Sequence, residues 1–153
     1  MAHPKTPNFR IVVDTREQTP LPLPAETAVR GTLRTGDYSV QGFEHSFTVE
    51  RKSLPDLVNT IIHDRERFEY ELLRMMKYQF RRVLVEASFA DALPEDGYTF
   101  SQAKPKSVIN SVYAFEVRYG VPFVFAGGRL AATKLLMGWA EFFVRELSCP
   151  RGW

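Results

Sequence analysis

The sequence has almost no cysteine and no long apolar segment. Its single cysteine, Cys149, cannot form a disulfide within the chain or a cysteine-based zinc site, which is typical of proteins in reducing compartments. No stretch approaches the ~20 apolar residues of a membrane-spanning helix, and the N-terminus, MAHPKTPNFR, lacks the apolar run of a secretory signal. We therefore expect no membrane association and a cytoplasmic protein, in a nucleoid-associated or phage context as well as a cellular one.

A strong charge of one sign is also missing. The 153 residues carry 20 Lys and Arg against 18 Asp and Glu, which leaves a formal net charge of +2. This balance neither requires nor excludes nucleic acid, because a basic groove can coexist with acids elsewhere on the surface. The 44% hydrophobic content and the length predict one globular domain over residues 1–153, with a core from about 10 to 147.

The hydrophobic pattern changes its period at Ser53. Before it, short apolar runs typical of strands follow one another, namely FRIVVDTRE, TAVRGTL, DYSV and SFTVERK. From Ser53 onward, apolar residues at helical spacing predict helices over about 53–62, 65–79, 106–118 and 130–147, with strands in RRVLVEAS and VPFVFAGG between them. This order predicts a three-layer α/β fold with a mixed central sheet flanked by helices.

Charged residues collect at the ends of the predicted strands. On one strand Glu50 and Lys52 share a face, with Arg51 on the opposite face. Asp37 opens a neighbouring strand and Asp14 ends the first one, so their carboxylates can meet Glu50 at one mouth. Two unit charges about 4 Å apart repel by about 4 kcal/mol at an effective dielectric near 20. A hard divalent cation removes this repulsion, and carboxylate oxygens are the ligands that Mg²⁺ prefers.

This arrangement predicts metal-assisted phosphodiester hydrolysis. The carboxylates of Asp37 and Glu50 hold the metal, the metal makes hydroxide available at neutral pH, and Lys52 stabilises charge on a phosphate. Structural alternatives stay open, because Asp37 follows Gly36 as a turn residue would. Taken alone, the segment Glu50–Lys52 is more often a solvated strand edge than a site, and only its combination with the other acids favours a site. Asp56 has the spacing of a helix cap with Ser53.

Basic residues recur after the first predicted helix. They are Arg65, Arg67, Arg74, Lys77, Arg81, Arg82, Lys104 and Lys106. Such groups contact phosphates and give affinity for DNA without sequence information. The interleaved acids Glu66, Glu69 and Glu71 leave a solvated helix face as the alternative.

The charged residues resemble the nuclease signature of the XPF-type structure-specific endonucleases, which is G-D, a variable spacer and then E-R-K-x-x-x-D. The signature reads here Gly36-Asp37, then Glu50-Arg51-Lys52 and Asp56. The upstream segment DTRE, residues 14–17, is similar to the D-x-R-E segment of that family. The resemblance extends over most of the chain, from about residue 11 to residue 147.

The resemblance implies a restriction-endonuclease-like fold and a Mg²⁺-dependent endodeoxyribonuclease in which Mn²⁺ substitutes for Mg²⁺. It makes Asp37 and Glu50 metal ligands, Asp14 an additional ligand and Lys52 the catalytic lysine. Supporting positions that shape the site or touch DNA are Arg16, Glu17, Arg51 and Asp56. Predicted DNA-binding residues are Arg65, Arg67, Lys104 and Lys106, with Arg65 and Arg67 competing for one family arginine.

We therefore expect a structure-selective DNA endonuclease of repair, recombination or replication. The tandem helix-hairpin-helix region of the family has no counterpart before Trp153, so we expect a nuclease domain that stands alone. One alternative is another restriction-like nuclease, such as a junction resolvase. The other is a non-catalytic DNA-binding or partner subunit of a nuclease complex, against which the intact Asp37, Glu50 and Lys52 argue.

The last predicted helix also bears on assembly. Its apolar residues do not keep to one stripe, and exposed apolar surface usually marks a binding site. The XPF-type family pairs its nuclease domains through late helices. We therefore expect a homodimer, or pairing with a partner nuclease subunit, through this helix and the one over 106–119. Burial of both helix faces within the monomer is the alternative.

Overall fold

Six strands and five helices follow one another along the part of the chain that the computed structural model describes, residues 8–148. The single cysteine, Cys149, and both ends of the predicted domain lie outside the described residues. The strands are β1 (Ile11–Asp14), β2 (Ala28–Gly31), β3 (Tyr38–Val40), β4 (Phe47–Lys52), β5 (Phe80–Val85) and β6 (Phe123–Phe125). The helices are α1 (Leu54–His63), α2 (Arg65–Met75), α3 (Phe89–Ala92), α4 (Pro105–Tyr119) and α5 (Arg129–Ser148).

The strands form one mixed sheet in the order β2-β1-β3-β4-β5-β6. Strand β3 is antiparallel to both β1 and β4, and the remaining neighbours are parallel. Parallel neighbours need a crossover connection. Helices α1 and α2 supply it between β4 and β5, and α3 and α4 supply it between β5 and β6. The predicted mixed central sheet is confirmed.

Alternating side chains on β5 separate two cores and define the layers. Val83 and Val85 face the side that is covered by α1, α2 and α4. Leu84 points to the other side and packs with Leu136 and Ala140 of α5. Because successive strand residues point to opposite faces, one apolar strand serves both cores. The result is the predicted three-layer arrangement with helices on both faces.

Two local features differ from the sequence prediction. Helix α2 ends at Met75 and not near residue 79, because the chain must turn back to pair Phe80 with Phe47 at the start of β4. The rings of these two phenylalanines stack with their centroids 4.6 Å apart. The short helix α3 was not predicted, and it is held by a capping box between Ser88 and Asp91.

Most apolar residues of α5 pack against the core of the same chain. The buried ones are Ala132, Leu136, Ala140 and Val144, and the half-buried ones that pack on the same core are Leu135, Met137, Trp139 and Phe143. Large apolar side chains that stay exposed on α5 are Leu130, Phe142 and Leu147. Along residues 8–148, no helix is both long and apolar enough to cross a membrane.

Candidate active site

Asp37 directly precedes β3 and is held between β1 and β4, the two strands that flank it. Its backbone N–H donates to the carbonyl oxygen of Val49 at 2.9 Å, and its carbonyl oxygen accepts from the N–H of Asp14 at 2.8 Å. Its carboxylate Oδ2 accepts a further hydrogen bond from the N–H of Arg51 at 2.8 Å. The backbone of β1 and β4 therefore sets the position of this carboxylate at the mouth of the sheet.

Gly36 has a steric reason to precede Asp37. Its φ of +80° lies in the left-handed region that favours glycine. A Cβ atom at this position would lie 2.2 Å from Oγ1 of Thr48 and 3.1 Å from the carbonyl oxygen of Val49. The glycine thus lets the chain approach β4 closely enough for Asp37 to reach the site.

Glu50 and Lys52 lie on one face of β4, as their spacing predicts. Glu50 is buried, with 7% of its surface exposed. The Nζ of Lys52 lies 3.6 Å from Oε1 of Glu50 and 3.4 Å from Oγ1 of Thr60 on α1. It also lies 5.3 Å from the ring centroid of Phe68 on α2. The ammonium group is therefore held beside the acid by contacts from both helices.

Two acids of the cleft, Glu50 and Asp37, have raised pKa values. Burial raises the pKa of Glu50 well above its ordinary value, and the charges of Glu71 and Asp37 raise it further. Burial also raises the pKa of Asp37 to about 6, against the lowering effect of the Arg51 N–H; the charges of Glu17 and Glu71 add to the rise. Carboxyl groups placed in this way favour a proton or a cation among them.

Glu71 is a site residue that the sequence pattern does not indicate. The pattern places it among the interleaved acids of a solvated helix face, yet the structure places it in the cleft with Glu50 and Asp37. Glu71 follows Arg67 by four residues, so both lie on the same face of α2. That spacing is the signal in the sequence, and it becomes informative only once this helix face is known to cover β4.

The acids and several arginines share one cleft of about 360 Å³. Because a water molecule occupies about 30 Å³ in the liquid, the cleft has room for a phosphate group with several waters. It is lined by Asp14, Arg16, Arg34, Thr35, Gly36, Asp37, Glu50, Lys52, Thr60, Asp64, Arg67, Phe68, Glu71 and Arg74. The arrangement combines buried carboxylates with a rim of cations, which suits a ligand that carries phosphate and a metal ion.

Asp14 lies in the cleft lining, but its carboxylate already has partners. Oδ1 accepts from the N–H of Leu33 at 2.9 Å, and Oδ2 accepts from Nε of Arg16 at 2.8 Å. Burial acts to raise the pKa of Asp14, but the hydrogen bonds from Arg16 and Leu33 outweigh it and lower that pKa. Its role as a third metal ligand stays a prediction, and its observed role is to anchor the segment after β1.

Arg51 and Glu17 form a separate ion-pair network on the opposite face of β4. The guanidinium of Arg51 donates to Glu17 at 2.8 and 2.9 Å and to Glu86 at 3.1 Å. Arg129, at the start of α5, donates to the same oxygen of Glu86 at 3.1 Å. These predicted supporting residues therefore tie β4 to the loop after β1 and to α5.

The two competing arginines of α2 point to different places. Arg67 lines the cleft, whereas Arg65 donates to Oγ of Ser111 at 2.8 Å and lies over the ring of Phe115, 4.7 Å from its centroid. The structure thus brings Arg67, and not Arg65, to the carboxylates.

Three further predicted residues lie away from the carboxylates. The N–H of Asp56 donates to Oγ of Ser53 at 3.2 Å, and the exposed Asp56 side chain lies outside the cleft lining. Lys104 and Lys106 are exposed at the start of α4 and do not line the cleft either. Asp56 therefore lies in the first turn of α1, where its N–H is capped by Ser53, and DNA contact by the two lysines stays a prediction.

The donor set fits a magnesium ion that is only partly held by protein. Among residues 8–148, no group of three or more His, Cys, Asp or Glu side chains forms a metal site by itself. Mg²⁺ usually binds one or two carboxylates and keeps several waters or phosphate oxygens. The pair of the half-buried Asp37 and the buried Glu50, with its raised pKa values, meets that requirement.

Comparison with known proteins identifies the fold. Residues 13–137 match the ERCC4 domain family. A search of curated protein sequences finds no significant match. The XPF structure from Aeropyrum pernix matches with a TM-score of 0.70 and 22% identity, over 91% of this chain and 67% of that one. The structure of XPF from Aeropyrum pernix in complex with DNA matches with a TM-score of 0.70 and 19% identity, over 90% and 66%.

These matches confirm the predicted restriction-endonuclease-like fold, in the form of an XPF-type nuclease domain. The chain spans about two thirds of the length of those solved structures.

Proposed function

Since the chain belongs to the ERCC4 domain family, we propose that it is a metal-dependent endonuclease that hydrolyses the phosphodiester bonds of DNA. One observation carries the proposal: Asp37 and Glu50 are brought into one cleft, with the ammonium of Lys52 3.6 Å from Glu50. The match to an XPF structure in complex with DNA supports DNA as the substrate. The proposed processes are DNA repair, recombination or replication.

The residues that would hold Mg²⁺, or Mn²⁺ in its place, are Asp37 and Glu50, with Asp14 as a further candidate. When bound, such an ion supplies positive charge against a phosphate oxygen and makes a water molecule more acidic. The chain contributes these two carboxylates, whose raised pKa values favour a cation between them. The acid Glu71 lies beside them and adds negative charge to the same cleft.

Lys52 has the position to stabilise the phosphate. Its ammonium group is fixed beside Glu50 by Thr60 and Phe68, so little reorganisation is needed when negative charge develops at the phosphorus centre. Arg67 and Arg74 lie on the rim of the cleft and are placed to bind the phosphates on either side of the scissile bond. These residues orient the strand, and the carboxylates and Lys52 act at the reacting atoms.

The direct test is a cleavage assay with end-labelled single-stranded, duplex, flap and junction DNA. Cleavage is expected in Mg²⁺ and in Mn²⁺, none in EDTA, with one branched substrate cut faster than the plain duplex. Undiminished cleavage in EDTA would refute the metal dependence. Metal-dependent binding of DNA without cleavage of any substrate would favour the alternative of a non-catalytic subunit.

We also propose a homodimer that uses α4 and α5. The exposed apolar side chains are Tyr113 and Val117 on α4, and Leu130, Phe142 and Leu147 on α5. The two helices lie on opposite faces of the sheet and are joined by β6, which pairs only with β5 among residues 8–148. An interface that includes both helices must therefore include the β6 edge of the sheet.

Light scattering at micromolar concentration tests this assembly. We expect a dimer mass for the unchanged protein and a monomer mass for Phe142→Glu, with Lys134→Glu on the same helix as the control. Trp139 is not a suitable probe, because its ring lies 5.6 Å from that of Phe80 and belongs to the monomer core. A monomer mass for the unchanged protein would refute the dimer.

A further inference from the structure

Arg82 on β5 is a half-buried arginine without an acidic partner. Its guanidinium lies 4.2 Å from the ring centroid of Phe80 and 5.9 Å from that of Trp139 on α5. Its Nη1 donates to the carbonyl oxygen of Arg81 at 2.7 Å. Within residues 8–148 it takes part in no ion pair. We call Phe80, Arg82 and Trp139 the Arg82 site.

The other half-buried arginines of residues 8–148 are compensated. Arg51, Arg65 and Arg145 each pair with a carboxylate. Arg81 donates to three backbone carbonyl oxygens, which belong to the ends of α2 and α4 and the turn after α2. Burial and the charge of Arg81 lower the pKa of Arg82. An anion beside Arg82 would offset both effects.

The Arg82 site and the carboxylate cleft lie on opposite faces of the sheet. Val83 packs in the core under α1, α2 and α4, so the preceding Arg82 points to the side of α5. Glu50 lies beside Val83 in the pairing of β4 with β5 and shares its face. A ligand at Arg82 therefore leaves the cleft open.

The side chains of the Arg82 site indicate a carboxylate that is attached to an apolar group. The planar fork of a guanidinium matches the two oxygens of a carboxylate. Phe80 and Trp139 are only half-buried, so ring surface remains beside the fork. Arginine and tryptophan in contact are also typical of the few residues that carry most of the binding energy in a protein interface.

A nucleic acid backbone fits the same site less well. Phosphate backbones are bound by several free cations along their path, and Arg81 on the same strand is already held by carbonyl oxygens. The exposed Glu146 follows Trp139 by seven residues and lies on the same face of α5. Its charge repels a polyanion that extends along this face, whereas a single carboxylate at Arg82 stays two helical turns away.

We propose that the Arg82 site binds an acidic and apolar segment of a partner protein, with a carboxylate on the guanidinium of Arg82 and an apolar side chain against Trp139. The inference does not rest on the nuclease activity, because the site faces away from the cleft. It assigns to the α5 face of the sheet a role in recruiting a partner.

The fluorescence of Trp139 tests the inference directly. The sequence has two tryptophans, so the assay uses a Trp153→Phe background in which the emission reports Trp139 alone. The probe is the peptide acetyl-Phe-Asp-Phe-Asp-Phe-amide, and the control peptide has asparagine in place of both aspartates. We expect saturable binding of the acidic peptide and about tenfold weaker binding of the control, since the charged hydrogen-bonded pair is lost.

Substitutions of Arg82 separate charge from geometry. Arg82→Gln is expected to weaken binding of the acidic peptide about tenfold and to abolish the difference between the two peptides. Arg82→Lys keeps the charge without the fork, so its affinity should lie between these values. The matched control is Lys134→Gln, which removes an exposed cation of α5 and should leave binding unchanged. Thermal melting of each variant checks that the fold is retained.

The inference would be overturned by no binding at millimolar peptide, by equal binding of the two peptides, or by undiminished binding to Arg82→Gln. Light scattering adds a further outcome: a dimer of the unchanged protein that Arg82→Gln dissociates would assign the carboxylate to a second copy of this chain. Displacement of the peptide by oligo(dT) would assign the site to phosphate. Because the readout is peptide binding, failure of DNA cleavage in Mg²⁺ would refute the nuclease and leave this inference standing.

Discussion

The last three residues of β4 separate two charged regions of opposite character. On one side, Arg51 is enclosed by Glu17 and Glu86, and Arg129 completes the network. On the other side, Glu50 shares a cleft with two partly buried acids, Asp37 and Glu71, and Lys52 is the cation beside it at 3.6 Å. In the first region, the balanced region, each acid is paired directly with an arginine. In the second, the charges of Asp37 and Glu71 act on Glu50 and raise its pKa.

The acids of the two regions have pKa values shifted in opposite directions. Burial acts to raise the pKa of Glu17, but the hydrogen bond and charge of Arg51 outweigh it, so that this pKa is lowered. Burial raises the pKa of Glu50 and of Asp37, and no cation within the described residues 8–148 cancels the effect. Successive side chains of β4 point to opposite faces of the sheet. The ion pair of Arg51 therefore lies on one face, and the site for an external cation lies on the other.

The largest expected effect comes from removing a carboxylate of the cleft. Asp37→Asn or Glu50→Gln should lower the rate of DNA cleavage by about 10³-fold or more, because the charge that holds the metal is lost. Without metal, the melting temperature should stay unchanged or rise, since the repulsion among buried carboxylates is reduced. Cleavage rates and thermal melts in EDTA measure the two effects.

Asp96→Asn serves as the control for these variants, because Asp96 is an exposed acid in a loop that does not line the cleft. Full cleavage by both cleft variants at ordinary Mg²⁺ concentrations would show that the carboxylates do not hold a catalytic metal.

Lys52→Ala should reduce cleavage by about 10²-fold to 10³-fold and leave metal binding in place. The ammonium stabilises charge at the phosphate and is not a metal ligand. Calorimetric titration with Mn²⁺ separates the two roles: heat of binding is expected for Lys52→Ala and not for Glu50→Gln. A native cleavage rate for Lys52→Ala would mean that Glu50 and Lys52 are an ordinary ion pair of β4.

Removing the central cation of the balanced region should lower the free energy of unfolding. Arg51→Met leaves Glu17 and Glu86 without their shared cation, and the Arg51 side chain is only 9% exposed. Loss of one partner of a buried ion pair typically costs about 3 kcal/mol in the free energy of unfolding. Urea unfolding measures it. Arg145→Met, which removes the exposed pair with Glu141, should cost less than about 1 kcal/mol, and equal costs would contradict the comparison.

A smaller, pH-dependent effect is expected for Glu17→Gln. Because the folded pKa of Glu17 lies below its ordinary 4.5, its ion pair stabilises the protein above that pH and is lost as the pH falls through the folded pKa. At neutral pH the variant should be about 2 kcal/mol less stable than the unchanged protein. The two unfolding curves should converge in acid, and a constant gap down to low pH would exclude Glu17 as the source.

Most elements of this fold follow from the sequence pattern. All six strands and the four longer helices were predicted, and the alternation of Glu50, Arg51 and Lys52 gave the correct faces of β4. The short helix α3 was missed, because four residues are too few for a helical period to appear. The end of α2 was placed too late, since it depends on the register of β5 against β4.

The site was predictable where its residues lie on the sheet and not where they lie on α2. Gly36 and Asp37 directly precede β3, Glu50 lies on the neighbouring strand β4, and strand pairing brings them together. Glu71 and Arg67 reach the cleft only because α2 crosses β4 at one rotation. Nothing in the alternating acids and arginines of the helix distinguishes that rotation from others.

The sequence by itself determined the fold class, the family signature and the face on which each charged residue of β4 lies. These depend on local periods of two and 3.6 residues, which a linear chain already contains. The tertiary structure decided which charges are neutralised: Arg51 by Glu17 and Glu86, Arg65 by Glu69, and Arg67 by no carboxylate among residues 8–148. Charge compensation depends on distances between elements far apart in the chain, and only packing sets those distances.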